Sequence, residues 1–469
     1  MERRKFLTRT GALAAVLGTG SLTLANKAKA DRINKELEVS KIEDGEYQPV
    51  LAREVQAATI ICIGAGNRGN AYSKYAQSHP EALKIIGVAE PIQERRTGYA
   101  AKYNIPADAC LNTWEDVFKK PKWADAVLIS TPDKLHYAPA MKAISMGYHV
   151  MLEKPISTSM QECEDIAKAA KKAGVMVAVC HVLRYGPYFK KLREIMASGV
   201  MGDVVSIDHF EPVGYWHMAH SYVRGNWRKE SESSFMLLAK SCHDLDIMRW
   251  LVDKPCQEVA SFGSLMHFKA SNAPAGSTKR CTDGCAVEAT CPYSAMRLYL
   301  KPERKGWPVT VITEDLSQEG RMKALKEGPY GRCVYHCDND VVDHQVVQMK
   351  FEGGATGSFT MSAFSPEQGM GMRKTRVMGT RGYLEGDMKE FVITDFLTNK
   401  QTSYGTSELG GDAGSGHGGG DMGLIGSFAD AVRGNNPKLL TSTIDVSVES
   451  HRMAFMAEKA RVSKSVISL

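Results

Sequence analysis

An α/β protein opening with a doubly wound parallel sheet is predicted by three features of the 469-residue sequence. Short apolar segments alternate with helical patterns between residues 55 and 180, as in a parallel sheet covered by helices on both faces. The first segment, TIICI at 59–63, breaks into Gly64-Ala65-Gly66-Asn67-Arg68-Gly69. Glycines so placed permit a tight turn, close backbone approach to a pyrophosphate and a helix packed hard on the sheet. An acid, Glu90, closes the second strand 21 positions after Gly69 (90 − 69). A carboxylate there would accept hydrogen bonds from an adenosine ribose and repel a 2′-phosphate, so NAD is expected, while nearby Arg95 and Arg96 keep NADP open.

The elements follow in chain order. Residues 1–30 combine a charged start containing Arg3-Arg4, an apolar middle and Ala28-Lys29-Ala30, the pattern of a cleavable twin-arginine export signal. The apolar middle, interrupted by Gly18, Thr19 and Gly20, falls short of the roughly 20 residues of a spanning helix. No stable membrane anchor is therefore expected, and the mature chain should begin near Asp31 in the periplasm or another extracytoplasmic space. Residues 31–54 are polar and mixed in charge and read as an N-terminal arm. Strands at 84–89, 126–130, 149–152 and 176–180, with helices at 93–103 and 159–173, complete a dinucleotide-binding domain over 55–180. A net charge of +6, with no basic block interleaved with aromatics, argues against nucleic acid as a partner.

Two further strand ends carry polar motifs, Thr131-Pro132-Asp133-Lys134-Leu135-His136 and Glu153-Lys154-Pro155. Ligands of doubly wound sheets bind at such carboxyl edges, and Thr131, Pro132, His136, Glu153 and Lys154 join Gly64, Gly66, Asn67, Arg68, Gly69 and Glu90 as expected cofactor contacts. Together GAGNRG, TPDKLH and LEKP resemble the glucose-fructose oxidoreductase, inositol dehydrogenase and rhizopine-catabolism (Gfo/Idh/MocA) superfamily. The resemblance implies a C-terminal α/β domain over 181–469 with a mostly antiparallel open sheet, and a nicotinamide meeting a carbohydrate at the domain junction. It gives Lys154 a contact to the substrate hydroxyl. The segment AKSCHDLD, 239–246, resembles the family's catalytic helix, so His243 inherits the acid–base role. The family's upstream aspartate is replaced by Ala239, with Lys240 beside it as a candidate contact to an acidic substituent.

Arg184 and Tyr185 follow the expected crossover into the second domain and are read as cleft residues. HFEPVGYWHMAHSYVRGNWR, 209–228, is dense in aromatic, His and Arg side chains, as sugar sites are. Trp216, His220, Arg224 and Trp227 are its substrate candidates. Within an insertion at about 270–340, Cys281, Cys285 and Cys291 are followed by Cys333 and Cys337. Four of these five could form an all-thiolate structural zinc site, with Cys337 or alternatively Cys333 as the fourth ligand. Disulfides are the other reading in an exported protein, and an iron–sulfur cluster a lesser one. Alternation around Gly353-Gly354 predicts antiparallel strands, in which Asp343 and His344 have no fixed register. A glycine-rich stretch, 411–421, carries His417 and Asp421 to a cleft-edge loop, and a final helix is expected at 446–461.

An exported NAD(P)-dependent oxidoreductase of a sugar, sugar acid or cyclitol is the first functional expectation, with nucleotide tightly bound and the chain a homo-oligomer. A redox-neutral glycosidase that oxidises, eliminates and reduces again is the second. A non-catalytic sugar-binding protein, suggested by Ala239, is the third.

Overall fold

The computed structural model describes residues 56–366, 372–405, 409 and 417–469. The export signal, nearly all of the arm and residues 411–416 of the glycine-rich stretch lie outside the described residues. The first sheet comprises β1 (Ala58–Ile63), β2 (Leu83–Ala89), β3 (Cys110–Leu111), β4 (Ala126–Ile129), β5 (His149–Leu152) and β6 (Val177–Val179). Their order is β3-β2-β1-β4-β5-β6, every pair parallel. The order reverses at β1, which places a crevice at the carboxyl ends of β1 and β4. β4 is buried throughout, the pattern of a strand covered on both faces. Among the covering helices are α1 (Asn67–Ser73) and α2 (Met160–Ala173). Ile166 and Ala170 turn the apolar stripe of α2 inward, and Gly174 ends it in the left-handed conformation that glycine adopts without penalty.

A crossover through α3 (Pro187–Ala197) leads into the second sheet. It is built from β7 (Val204–Pro212), β8 (Cys256–Ser264), β9 (His344–Phe351), β10 (Thr356–Ser362), β11 (Lys374–Gly379), β12 (Gly382–Gly386), β13 (Glu390–Asp395), β14 (Gln401–Gly405) and β15 (Ile467–Ser468). The order is β14-β13-β12-β11-β7-β10-β9-β8-β15. Only β7 and β10 run parallel, so the sheet is mostly antiparallel. Its core face packs on α4 (Met236–Val252), which is buried along nearly its whole length. α5 (Gly420–Gly434) returns to the first domain and α6 (Ile444–Ser463) packs along α4.

The 9-residue strands β7 and β8 are separated in sequence from β9 by the cysteine-containing insertion. That insertion forms a small apolar cluster of its own, in which Trp216, Cys281, Leu298, Tyr299, Leu325 and Tyr330 are buried together. No described helix is long and apolar enough to cross a membrane.

Candidate active site

The glycine turn sits at the carboxyl end of β1. Gly64 has φ +95°, and a Cβ on Gly69 would stand 2.2 Å from the Gly64 carbonyl oxygen, so neither position admits a side chain. Gly66 has nothing within 4 Å of where its Cβ would lie. That open backbone fits the close approach a pyrophosphate requires. Asn67 is exposed beside it. The Glu90 carboxylate is buried and accepts the Ala65 N–H at 2.9 Å and the Ile92 N–H at 3.0 Å. It braces the turn at the edge where a ribose would lie, with acceptor capacity to spare. Arg96 Nη1 donates to the Glu90 carbonyl at 2.5 Å, and Arg95 pairs with Glu314 at 3.0 Å.

Beyond β4, Thr131 donates its hydroxyl to the Leu135 carbonyl and Pro132 is exposed. His136 departs from its expected cofactor role. It is buried, with Nδ1 on the Pro155 carbonyl at 2.6 Å and Nε2 on the Thr131 carbonyl at 2.8 Å, so it ties the two motif loops together.

Arg68 and Glu153 meet each other. Arg68 donates to Glu153 at 2.7 Å and to both oxygens of Asp421, at 2.8 and 3.1 Å, with its guanidinium 4.5 Å from the Tyr72 ring centroid. Asp421 accepts in turn from His417 Nδ1 at 3.0 Å. The network links the nucleotide turn, the Glu153-Lys154-Pro155 motif and the start of α5. Asp421 is held well below the usual carboxylate range, since its partners His417 and Arg68 outweigh its burial.

Lys154 Nζ donates to the Ala239 carbonyl at 2.7 Å. The lysine head thus rests on α4 where the family's aspartate would stand, one turn before His243. His243 is 5% exposed and its Nδ1 is buried with no hydrogen-bond partner. Its ring centroid lies 5.7 Å from that of His181 and 5.9 Å from that of His417. Burial first, then the charge of Lys154, push its pKa well below the ordinary histidine value. The His217 ring packs against Trp216, Tyr222 and Trp307, and burial first, then the charge of Lys240, shifts its pKa the same way. Lys240 pairs with the buried Glu211 at 3.0 Å, and Arg373 bridges Glu211 at 2.8 Å to Asp244 at 2.6 Å.

Most of the expected sugar-reading side chains are committed elsewhere. Arg184, 1% exposed, makes a bidentate pair with Asp246 at 2.6 and 2.7 Å and donates to the Thr441 carbonyl. The Tyr185 hydroxyl accepts the N–H groups of Thr441 and Ser442. Both pin the crossover to the chain before α6 instead of facing the cleft. Trp216 packs 5.0 Å from Trp307, and His220 bonds to Tyr299 and stacks 4.9 Å from Tyr330. Arg224 is fully buried and donates to the carbonyls of Arg332 and Tyr293. The Trp227 indole N–H goes to Asp133 at 3.0 Å, joining the two domains. A π-helical segment, Met218–Arg224, carries His220 and Arg224 toward the insertion. Periodicity cannot anticipate such a segment, because its side chains do not fall at α-helical spacing.

The expected zinc set also changes. No two of the eleven cysteines are paired as a disulfide in the structure. Cys281, Cys285, Cys291 and Cys333 line one cavity, and Cys337 is not among its lining residues. Among the described residues no three His, Cys, Asp or Glu side chains are grouped so as to hold a single metal ion.

Residues 58–181 match the oxidoreductase family with an NAD-binding Rossmann fold, and residues 193–442 match that family's C-terminal alpha/beta domain. YteT of Bacillus subtilis, a protein named as an oxidoreductase, is 25% identical over 325 residues, 67% of this chain and 73% of its own length. The 2,7-anhydro-N-acetylneuraminate hydratase of Escherichia coli is 29% identical over 202 residues, 43% of this chain and 51% of that protein. A levoglucosan dehydrogenase structure solved with NADH and levoglucosan shares the fold, with TM-score 0.64 and 16% identity over 88% of this chain and 99% of that one. The two matched domains in this order, around the nucleotide turn and α4, establish that the chain belongs to the Gfo/Idh/MocA oxidoreductase family.

Proposed function

We propose that the protein is an exported NAD(P)-dependent oxidoreductase that removes hydride from a carbinol of a sugar, sugar acid or cyclitol. One observation carries this reading: Lys154 is seated on the Ala239 carbonyl, one turn from His243, while its neighbour Glu153 accepts from Arg68 of the open glycine turn. Bound nicotinamide would supply the hydride acceptor. The Lys154 ammonium, with two N–H donors left after Ala239, stabilises the carbinol oxygen as negative charge develops. His243, kept neutral by burial and by Lys154, is ready to take the hydroxyl proton. Glu90 favours NAD over NADP through its charge. The twin-arginine pattern supports export of the folded chain with its nucleotide already bound, and a periplasmic location. Exposed Val205 and Phe262 on β7 and β8 support a homo-oligomer.

Incubating the purified protein with panels of sugars and glycosides, without added nucleotide, tests the reading. Reduced nicotinamide, or paired oxidised and reduced sugars, is the expected result; no turnover despite an intact nucleotide site would leave a sugar-binding protein. A redox-neutral cycle is the second reading. It is favoured by the facing imidazoles of His243 and His417, the latter oriented by Asp421, because a second base can remove a proton next to a transient ketone. The hydratase relative is named for a reaction with no net redox change. Aglycone release without accumulated reduced nucleotide would select this cycle.

A further inference from the structure

The cysteine-lined cavity lies outside the nucleotide and substrate sites. An antiparallel bridge between Arg280 and Arg332 joins its two halves. The Cys281 N–H donates to the Gly331 carbonyl at 2.9 Å, and the Cys333 N–H to the Lys279 carbonyl at 2.9 Å. Two segments far apart in sequence are thereby held in register so that Cys281 and Cys333 face the space shared with Cys285 and Cys291.

The surroundings suit an anion. Cys281 Sγ lies 3.4 Å from the Ala295 N–H and 3.9 Å from Arg224 Nη2, and donors to sulfur stabilise thiolate ligands. Arg224 lines the cavity and is fully buried, yet its hydrogen-bond partners are carbonyls and a sulfur. Its Nη1 has no partner at all. A buried guanidinium without an opposing acid is costly, and a net-negative group in the cavity would relieve that cost.

The arrangement also discriminates between occupants. Zinc draws four thiolates to about 2.3 Å from a single point. These thiols surround a hollow, and no three described ligands are grouped around one ion. A polynuclear cluster places its inorganic core between its ligands, and a [4Fe–4S] cluster takes four cysteine thiolates. We infer that Cys281, Cys285, Cys291 and Cys333 ligate a [4Fe–4S] cluster whose negative charge is matched by Arg224. Arg224 ends the π-helical segment Met218–Arg224, so the cluster would anchor that segment to the insertion. No electron transfer is assigned to it.

The test is metal and sulfide analysis of the full-length protein purified without oxygen, as isolated and after reconstitution with ferrous iron and sulfide. Iron and acid-labile sulfide in equal amounts, about four of each per chain, with broad visible absorption, are expected. Cys333→Ser and Cys285→Ser should each lose most of the iron, whereas Cys337→Ser should keep it. Far-UV circular dichroism separates ligand loss from unfolding, and the Cys337→Ser comparison holds even where a ligand variant fails to fold. A single zinc ion, iron loss on Cys337→Ser instead of Cys333→Ser, or no iron uptake after reconstitution would each overturn the inference.

Discussion

Replacing Arg184 by Met should destabilise the protein and leave substrate affinity intact. The guanidinium and Asp246 are each 1% exposed on their side chains and share two hydrogen bonds of 2.6 and 2.7 Å. Removing the arginine strands the carboxylate. The next group able to carry positive charge is His181, with Nε2 at 3.8 Å; burial is the largest cause of its low pKa of about 4 in the wild type, and losing Arg184 removes only a smaller contribution to that shift. Breaking one side of such a buried pair costs about 3–5 kcal/mol. Urea unfolding followed by Trp fluorescence reads this directly, because Trp250 lies 5.0 Å from the guanidinium. Asp246 is held below the usual carboxylate range because the Arg184 charge, His181 and hydrogen bonds from Arg184 and Ser450 together outweigh its burial. The deficit should therefore shrink in acid, where the stranded carboxyl takes a proton, and Arg184→Met/Asp246→Asn should recover part of the loss. An unchanged urea midpoint with a selectively raised KM would refute this reasoning and return Arg184 to the substrate site.

Other outcomes follow from the same geometry. Lys154→Ala should keep bound nucleotide but lose turnover by at least about tenfold, equivalent to about 1.4 kcal/mol of transition-state stabilisation. Any residual oxidation should have its acid limb moved to higher pH, since removing the neighbouring cation raises the pKa of His243; kcat/KM profiles check both effects. Asp421→Asn should lower nucleotide retention and thermal stability together, because it weakens the only carboxylate shared by Arg68 and His417 among the described residues; equilibrium dialysis and thermal melts measure this. Trp227→Phe should cost about 1 kcal/mol from the lost bond to Asp133, which Ser233 and Ser234 still serve. Buried His220 and His451 are shifted down to about 3 and His181 to about 4, all chiefly by burial. Their neutral forms contribute full stability above about pH 6.5, and up to about 1.4 kcal/mol per pH unit is lost for each as pH falls toward the folded values; urea midpoints at pH 7.5 and 5.5 should show the decline.

The nucleotide half was legible because its signals are local. A strand, a glycine turn and a strand-end acid lie within a few dozen residues, and β1, β2 and α2 form within two residues of the expected bounds. The helix bearing His243 was legible through resemblance, since its burial on every side hides any amphipathic period. Arg184, Tyr185, His220 and Arg224 were misread for one physical reason: polar residues that read as cleft-facing are satisfied by backbone and side-chain groups distant in sequence. Arg184 meets Asp246 and Thr441, and Arg224 meets Arg332 and Tyr293. Glu211 and Arg373 gave no separate signal because their meeting with Lys240 and Asp244 depends on β7, α4 and the approach to β11 converging. The choice of Cys333 over Cys337 depends on one antiparallel bridge that no spacing encodes.

The central claim is that Lys154 and His243 act on a carbinol beside a resident nucleotide. Near-ultraviolet absorbance of the purified protein, recorded before and after adding an oxidisable sugar and followed by extraction of the nucleotide, tests it most directly. Stoichiometric bound NAD that becomes reduced in the wild type but stays oxidised in Lys154→Ala is the expected result. Protein that emerges without nucleotide and binds none on titration, or Lys154→Ala that reduces it undiminished, would contradict the claim.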